Sequence, residues 1–181
     1  MSWYPPVVID APAEEPVTLE DAKRWGRIED AADDDRVTDA LEAARAAVEA
    51  QNGTYLVEQT VEVKCDGICD LASIPLAPVQ SVVITYIDWN GAEQTLPDTV
   101  YELRAEGLET GLKLKFGQSW PVLQGGSRMT VTAVCGYPDG EVPPQVLQAI
   151  RIKTIAELDG RRDPEDVAAV EALLANHRRF V

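Results

Sequence analysis

Between residues 34 and 51, apolar side chains recur at three- and four-residue steps: Val37, Ala40, Leu41, Ala44, Ala47 and Val48, with Asn52-Gly53 following as a stop. That spacing predicts a helix with one buried stripe, and the stripe's alanines allow another helix to come close. After Gly53 the period changes to two. In "YLVEQTVEVKCD", Val57, Gln59, Val61, Val63 and Cys65 fall on one face and Glu58, Thr60, Glu62 and Lys64 on the other. This predicts an antiparallel strand with one solvated face. Strand patterns continue at 79–89, 93–96, 101–105, 112–116 and 128–137, punctuated by Asn90-Gly91, Leu96-Pro97-Asp98 and Gly125-Gly126. They predict a meander of short strands in a small sheet or barrel-like sandwich.

Helical spacing flanks this block on both sides. Before it, "TLEDAKRWG" offers Thr18 as N-cap, Gly26 as a stop, and Leu19, Ala22 and Trp25 for burial. After it, Pro143-Pro144 opens a helix with Val146, Leu147, Ile150, Thr154 and Leu158 as its stripe. Asp163 and Pro164 open a last one, with Val167, Val170 and Leu174 facing inward. The predicted class is α+β, a four-helix core with an antiparallel β-sheet module inserted between helices 2 and 3. The expected organisation is an extended, proline-rich N-terminal arm (1–16), a helical core (17–53 and 141–177), an inserted β module (54–140) and a C-terminal tail (178–181).

Charge narrows the function. The chain of 181 residues carries a formal net charge of -15, which argues against a surface that grips phosphate backbones. The acidity is uneven: residues 1–51 hold 13 acids and 5 bases, whereas 141–181 hold 7 and 6. No run of eighteen apolar residues offers a membrane span, and "MSWYPPVVID" lacks the layout of a signal peptide, so a cytoplasmic origin is expected. Three cysteines, an odd number, fit a reducing compartment better than a disulfide framework.

No constellation of residues predicts catalysis, a cofactor or a metal. Asp33, Asp34 and Asp35 are adjacent, so on a helix they point about a third of a turn apart and do not converge on one ion. They read as a helix start, where carboxylates suit the dipole. Cys65 and Cys69 would need Cys135 and His177, both distant in sequence, to complete a zinc site. His177 is the only histidine and lies near the polar C-terminus, a poor place to activate a nucleophile. Gly125-Gly126 lacks a phosphate-loop context. Trp25, Trp89, Trp120 and Tyr137 are expected in the core or packed on the sheet. Trp3 and Tyr4 have no evident local core and, with the basic and aromatic end His177, Arg178, Arg179 and Phe180, are the expected interface residues.

In its order of pieces the chain resembles the head-tail connector (adaptor) proteins of long-tailed bacteriophages, prophages and gene transfer agents. The resemblance runs over about residues 16–160. It rests on Pro16 to Leu19, Ala22-Lys23, Arg27-Ile28, Asp33 to Asp35, and Ala43 to Glu49 with Gly53. Later pieces are "IPLAPVQSVVITYID", "SWP" and "VTAVCGYPDGEVPPQVLQAI". The end of the third helix, "IAELDGRRD", departs from the family pattern, and the arm and the last helix lie outside the match. The resemblance implies a non-enzymatic virion component that forms a ring, usually of twelve copies, at the neck. Its implied partners are the portal protein of a DNA-filled head and a tail-side stopper or tail terminator protein. DNA would pass through the ring without specific binding. Two other readings remain: a non-viral protein-interaction module of another multisubunit assembly, and a carboxylate-dependent hydrolase.

Overall fold

The computed structural model describes residues 3–138, 141–160 and 163–179. It has the expected α+β class, four helices and antiparallel sheet, with strands between the second and third helices. Contacts divide the chain into two compact units: Glu58–Gly136 with the described residues up to Pro12, and Ala13–Val57 with those from Tyr137 onward.

The first unit is built on a five-stranded antiparallel sheet in the order β1-β2-β7-β3-β4. Its strands are β1 (Val7–Asp10), β2 (Gln59–Cys65), β3 (Val79–Ile87), β4 (Glu93–Thr95) and β7 (Met129–Cys135). A separate hairpin pairs β5 (Tyr101–Glu106) with β6 (Glu109–Leu114). The alternation in β2 lands as the sequence predicts, with Gln59, Val61, Val63 and Cys65 buried. The meander does not. β7 leaves its sequence neighbours and sits between β2 and β3, with Val131 opposite both Val63 and Ile84. Its strict alternation, with Met129, Val131, Ala133 and Cys135 buried, suits a central strand, whereas β4 is exposed throughout and suits an edge.

The buried sheet residues belong to a core that also includes Leu71, Ile74, Leu76, Leu96, Tyr101 and Leu112. Full burial of each large apolar side chain contributes about 1.5–3 kcal/mol. Ile74 N donates to Thr110 O (2.8 Å) and Tyr101 Oη to Val82 O (3.0 Å), tying the hairpin down. The approach is tight at Gly111, where a Cβ would stand 2.2 Å from Ala72 O. The proline-rich arm supplies β1, which pairs with β2 through Val7 opposite Glu62 and Val8 opposite Val61.

The second unit holds α1 (Leu19–Gly26), α2 (Asp34–Asn52), α3 (Pro144–Asp159) and α4 (Pro164–Leu174). Its core takes Val37, Leu41 and Val48 from α2, Val146 and Ile150 from α3, and Val170 and Leu174 from α4. Thr18 caps α1 by accepting from Asp21 N at 3.2 Å. The stop is Arg27, in the left-handed region at φ 54°, one residue beyond the expected Gly26. Trp25 is not buried, with 51% of its surface exposed. Successive three-residue steps each lag about 60°, so Trp25 stands about 120° around the helix from Leu19 and misses the core. Val167, also expected inside, is 50% exposed on the edge of the α4 stripe.

Arg45 holds this unit's N-terminal segment. Its Nε donates to Glu15 Oε2 (2.9 Å) and its Nη1 to Glu49 Oε2 (2.8 Å), while Glu49 Oε1 accepts from Leu56 N (2.8 Å). Burial nevertheless raises the Glu15 carboxyl above its usual value, outweighing the hydrogen bond and charge of Arg45 that lower it.

Candidate assembly surfaces

The acidic run starts a helix. Asp30 accepts from Ala32 N (2.9 Å) and closes a short 3-10 turn over Ala31–Asp33, from which α2 continues. Asp34 pairs with Lys23, whose Nζ also donates to Asp30 O (3.1 Å). Asp33 lies 3.9 Å from Arg36. Each of these two carboxylates thus answers a different cation. Among the described residues no cluster of three His, Cys, Asp or Glu is placed to hold a metal ion.

Trp3 and Tyr4 meet the first unit's own sheet. Trp3 bridges to Cys65, and its indole Nε1 donates to Ser73 O at 3.0 Å. Tyr4 N donates to Lys64 O (2.9 Å), and its hydroxyl to Asp66 Oδ1 (3.1 Å). The Arg128 guanidinium lies 4.1 Å from the Tyr4 ring centroid and 3.6 Å from Asp66. Both aromatics are half-buried. Their partners lie 62 and 70 residues away, so no local sequence signal pointed to them.

The basic C-terminal residues belong to the second unit. His177 N donates to Leu174 O, and Arg179 N to Asn52 O at the end of α2, both at 2.9 Å. His177, Arg178 and Arg179 are all half-buried. The Asn52 carboxamide and Arg178 Nε are buried without hydrogen-bond partners among the described residues. Phe180, the remaining expected contact, falls outside the described residues.

Several large apolar side chains of the first unit are exposed. Trp89, which the pattern placed in a strand, is 71% exposed in the turn after β3, where Asp88 Oδ1 accepts from Asn90 N (2.8 Å) and Ala92 N (3.0 Å). Val122 is 72% exposed beside Leu123, which bridges Asp88. Phe116, expected at a strand end, is fully exposed beyond β6. The early ends of β3 and β6 put Trp89 and Phe116 on turns, a boundary that periodicity resolves poorly.

In the second unit, α2, α3 and α4 enclose a groove of about 340 Å³. Ala43, Ala44 and Ala47 of α2, Ile152 and Ala156 of α3, and Val167 of α4 give it an apolar lining. Its charged residues are Glu157, Asp163, Asp166 and Glu171 against Lys153. Ala47, which the spacing placed in the buried stripe, is instead exposed and lines the groove together with Ala43 one turn before it.

No family model matches this chain, and no curated protein does. Solved structures do. A chain in the neck of an empty gene transfer agent (GTA) particle, computed with C6 symmetry, is similar over 98% of this chain and 97% of its own, with TM-score 0.80 and 18% identity. A chain in the virion of a native GTA particle gives TM-score 0.78 at 19% identity, over 97% and 96%. One in the neck of a native GTA particle, computed with C12 symmetry, gives 0.71 at 19%, over the same shares. The fold is therefore that of gene transfer agent neck components, end to end. These particles are among those whose connector proteins the sequence resembles.

Proposed function

We propose that this chain is a structural virion component, a head-tail adaptor. Copies form a ring at the neck that joins the portal of a DNA-filled head to a tail-side stopper or tail terminator protein and lines the DNA conduit. The observation that carries this reading is the fold likeness to GTA neck components over nearly the full length of both chains. Twelve copies agree with both the C6 and the C12 symmetry of those particles. The protein acts by assembly rather than catalysis, is made in the bacterial cytoplasm and resides in the virion neck. The net charge of -15 supports the conduit role, because an acidic lining repels DNA that must slide past it.

His177, Arg178, Arg179 and Phe180 form the portal-docking hook in this reading, with Trp3 and Tyr4 as further interface residues. Because residues 177–179 are half-buried near the end of α2, removing the hook would also disturb the fold, and charge reversal is the better test. Co-expression with the cognate portal should give ring-shaped complexes visible by electron microscopy. Arg178→Glu/Arg179→Glu should lose portal capture while the circular dichroism spectrum shows a folded chain, with some loss of melting temperature because both side chains are half-buried. Absence of any complex with portal would refute the adaptor role, and full capture by the double variant would refute the hook.

A further inference from the structure

The second unit carries two surface features of opposite character. Trp25 stands half-exposed at the end of α1, with Arg24 and Arg27 beside it in sequence and the Arg151 guanidinium 5.4 Å from its ring. Arg24 pairs with Asp21 at 3.0 Å, but neither Arg27 nor Arg151 has a carboxylate partner among the described residues. The result is an aromatic knob flanked by two arginines that no carboxylate among the described residues answers, on a strongly acidic chain. The α2-α3-α4 groove has the opposite character, an alanine-rich apolar floor with four carboxylates to one lysine.

The two features face different ways. On α3 the groove is lined by Ile152, Lys153, Ala156 and Glu157, whose directions centre about 170° around the helix from Arg151. Knob and groove therefore lie on opposite sides of α3, and one copy cannot fill its own groove. A patch that meets a different patch on the next copy makes a heterologous interface, the kind that generates rings when the rotation closes. We infer that Trp25, flanked by Arg24, Arg27 and Arg151, inserts into the α2-α3-α4 groove of a second copy of this chain, with Glu157 and Glu171 on its rim meeting the arginines. The second copy is favoured as occupant because shape and charge complement each other within one sequence. A large aromatic anchor in an apolar pocket bounded by charge pairs is also where binding energy concentrates. The inference rests on the ring reading and supplies its contact.

The test is a reciprocal charge exchange, followed by sedimentation velocity over a concentration series. Wild-type protein should self-associate. Arg24→Glu/Arg27→Glu and Glu157→Arg/Glu171→Arg should each weaken self-association at least roughly tenfold. Mixed one to one, the two variants should associate again, because each reversed knob then meets a reversed groove. Trp25→Ala should weaken association without changing the circular dichroism spectrum. A wild-type chain that stays monomeric throughout overturns the self-assembly on which the contact rests. Wild type that assembles while the charge-reversed variants assemble equally well, or variants that fail to recover on mixing, overturns the knob and groove alone.

Discussion

Cys65 and Cys135 sit on the buried faces of β2 and β7, and burial pushes their thiols up to about 11 and about 12. Thiolate is the reactive form, so both are inert at mild alkaline pH. Cys69 is exposed. Folded protein treated with an alkylating reagent at about pH 8 should therefore be modified at Cys69 alone, and at all three cysteines once denatured, as read by intact mass. Equal labelling in the folded state would mean that the sheet core opens. Glu15 gives a pH dependence of definite sign. Burial raises its carboxyl above the ordinary value, so the folded state favours its protonated form. The stability it contributes is present below the unfolded pKa and is lost as pH rises through the folded one. Relative to Glu15→Gln, the wild type should lose melting temperature as pH is raised from below 4.5 to neutral. A difference that stays flat or grows would show that Arg45, not desolvation, governs the carboxylate.

At the scale of elements, the hairpin's hold on the first unit turns on Gly111, because any Cβ there collides with backbone rather than with a movable side chain. Gly111→Ala should cost about 1–3 kcal/mol and lower the melting temperature by roughly 2–4 °C per kcal/mol. Gly125→Ala, which meets nothing within 4 Å, is the control and should be silent. The sequence could not have singled out Gly111, since the group it approaches, Ala72 O, lies on a 3-10 turn earlier in the chain. The same holds more widely. α2 and β2 were legible because their stripes are local, periodic and backed by one continuous core each. The central place of β7, the pairing of β1 and the docking of Trp3 and Tyr4 depend on partners tens of residues away, which periodicity does not encode. The groove was visible only as an excess of alanine on α2. Trp25 needed the accumulated lag of three-residue steps to be recognised as an outward side chain.

For the whole molecule, the proposed ring requires attraction between neighbours and repulsion along the conduit to coexist. A chain of -15 repels its copies over distances near the Debye length, about 8 Å at physiological salt, whereas the arginines and carboxylates proposed to meet at the knob and groove act in direct contact. Salt in the physiological range therefore screens the net repulsion more than it weakens the contact. The same net charge governs DNA. A protein holding the duplex must replace condensed counterions with Lys and Arg, and non-specific binders reach dissociation constants of about 10⁻⁴–10⁻⁶ M in this way. With 16 basic residues against 31 acidic ones, the chain has no such surplus to offer. Assembled protein titrated against fluorescent duplex DNA should produce no anisotropy change at physiological salt and none when the salt is lowered, where phosphate-gripping proteins tighten steeply. Charge-neutral replacement of Asp33, Asp34 and Asp35 by Asn should leave that result unchanged while costing at most about 1 kcal/mol per site in helix stability. Salt-dependent binding by the wild-type ring would show that basic side chains are gathered on the conduit wall, and that the acidic lining proposed for DNA passage is wrong.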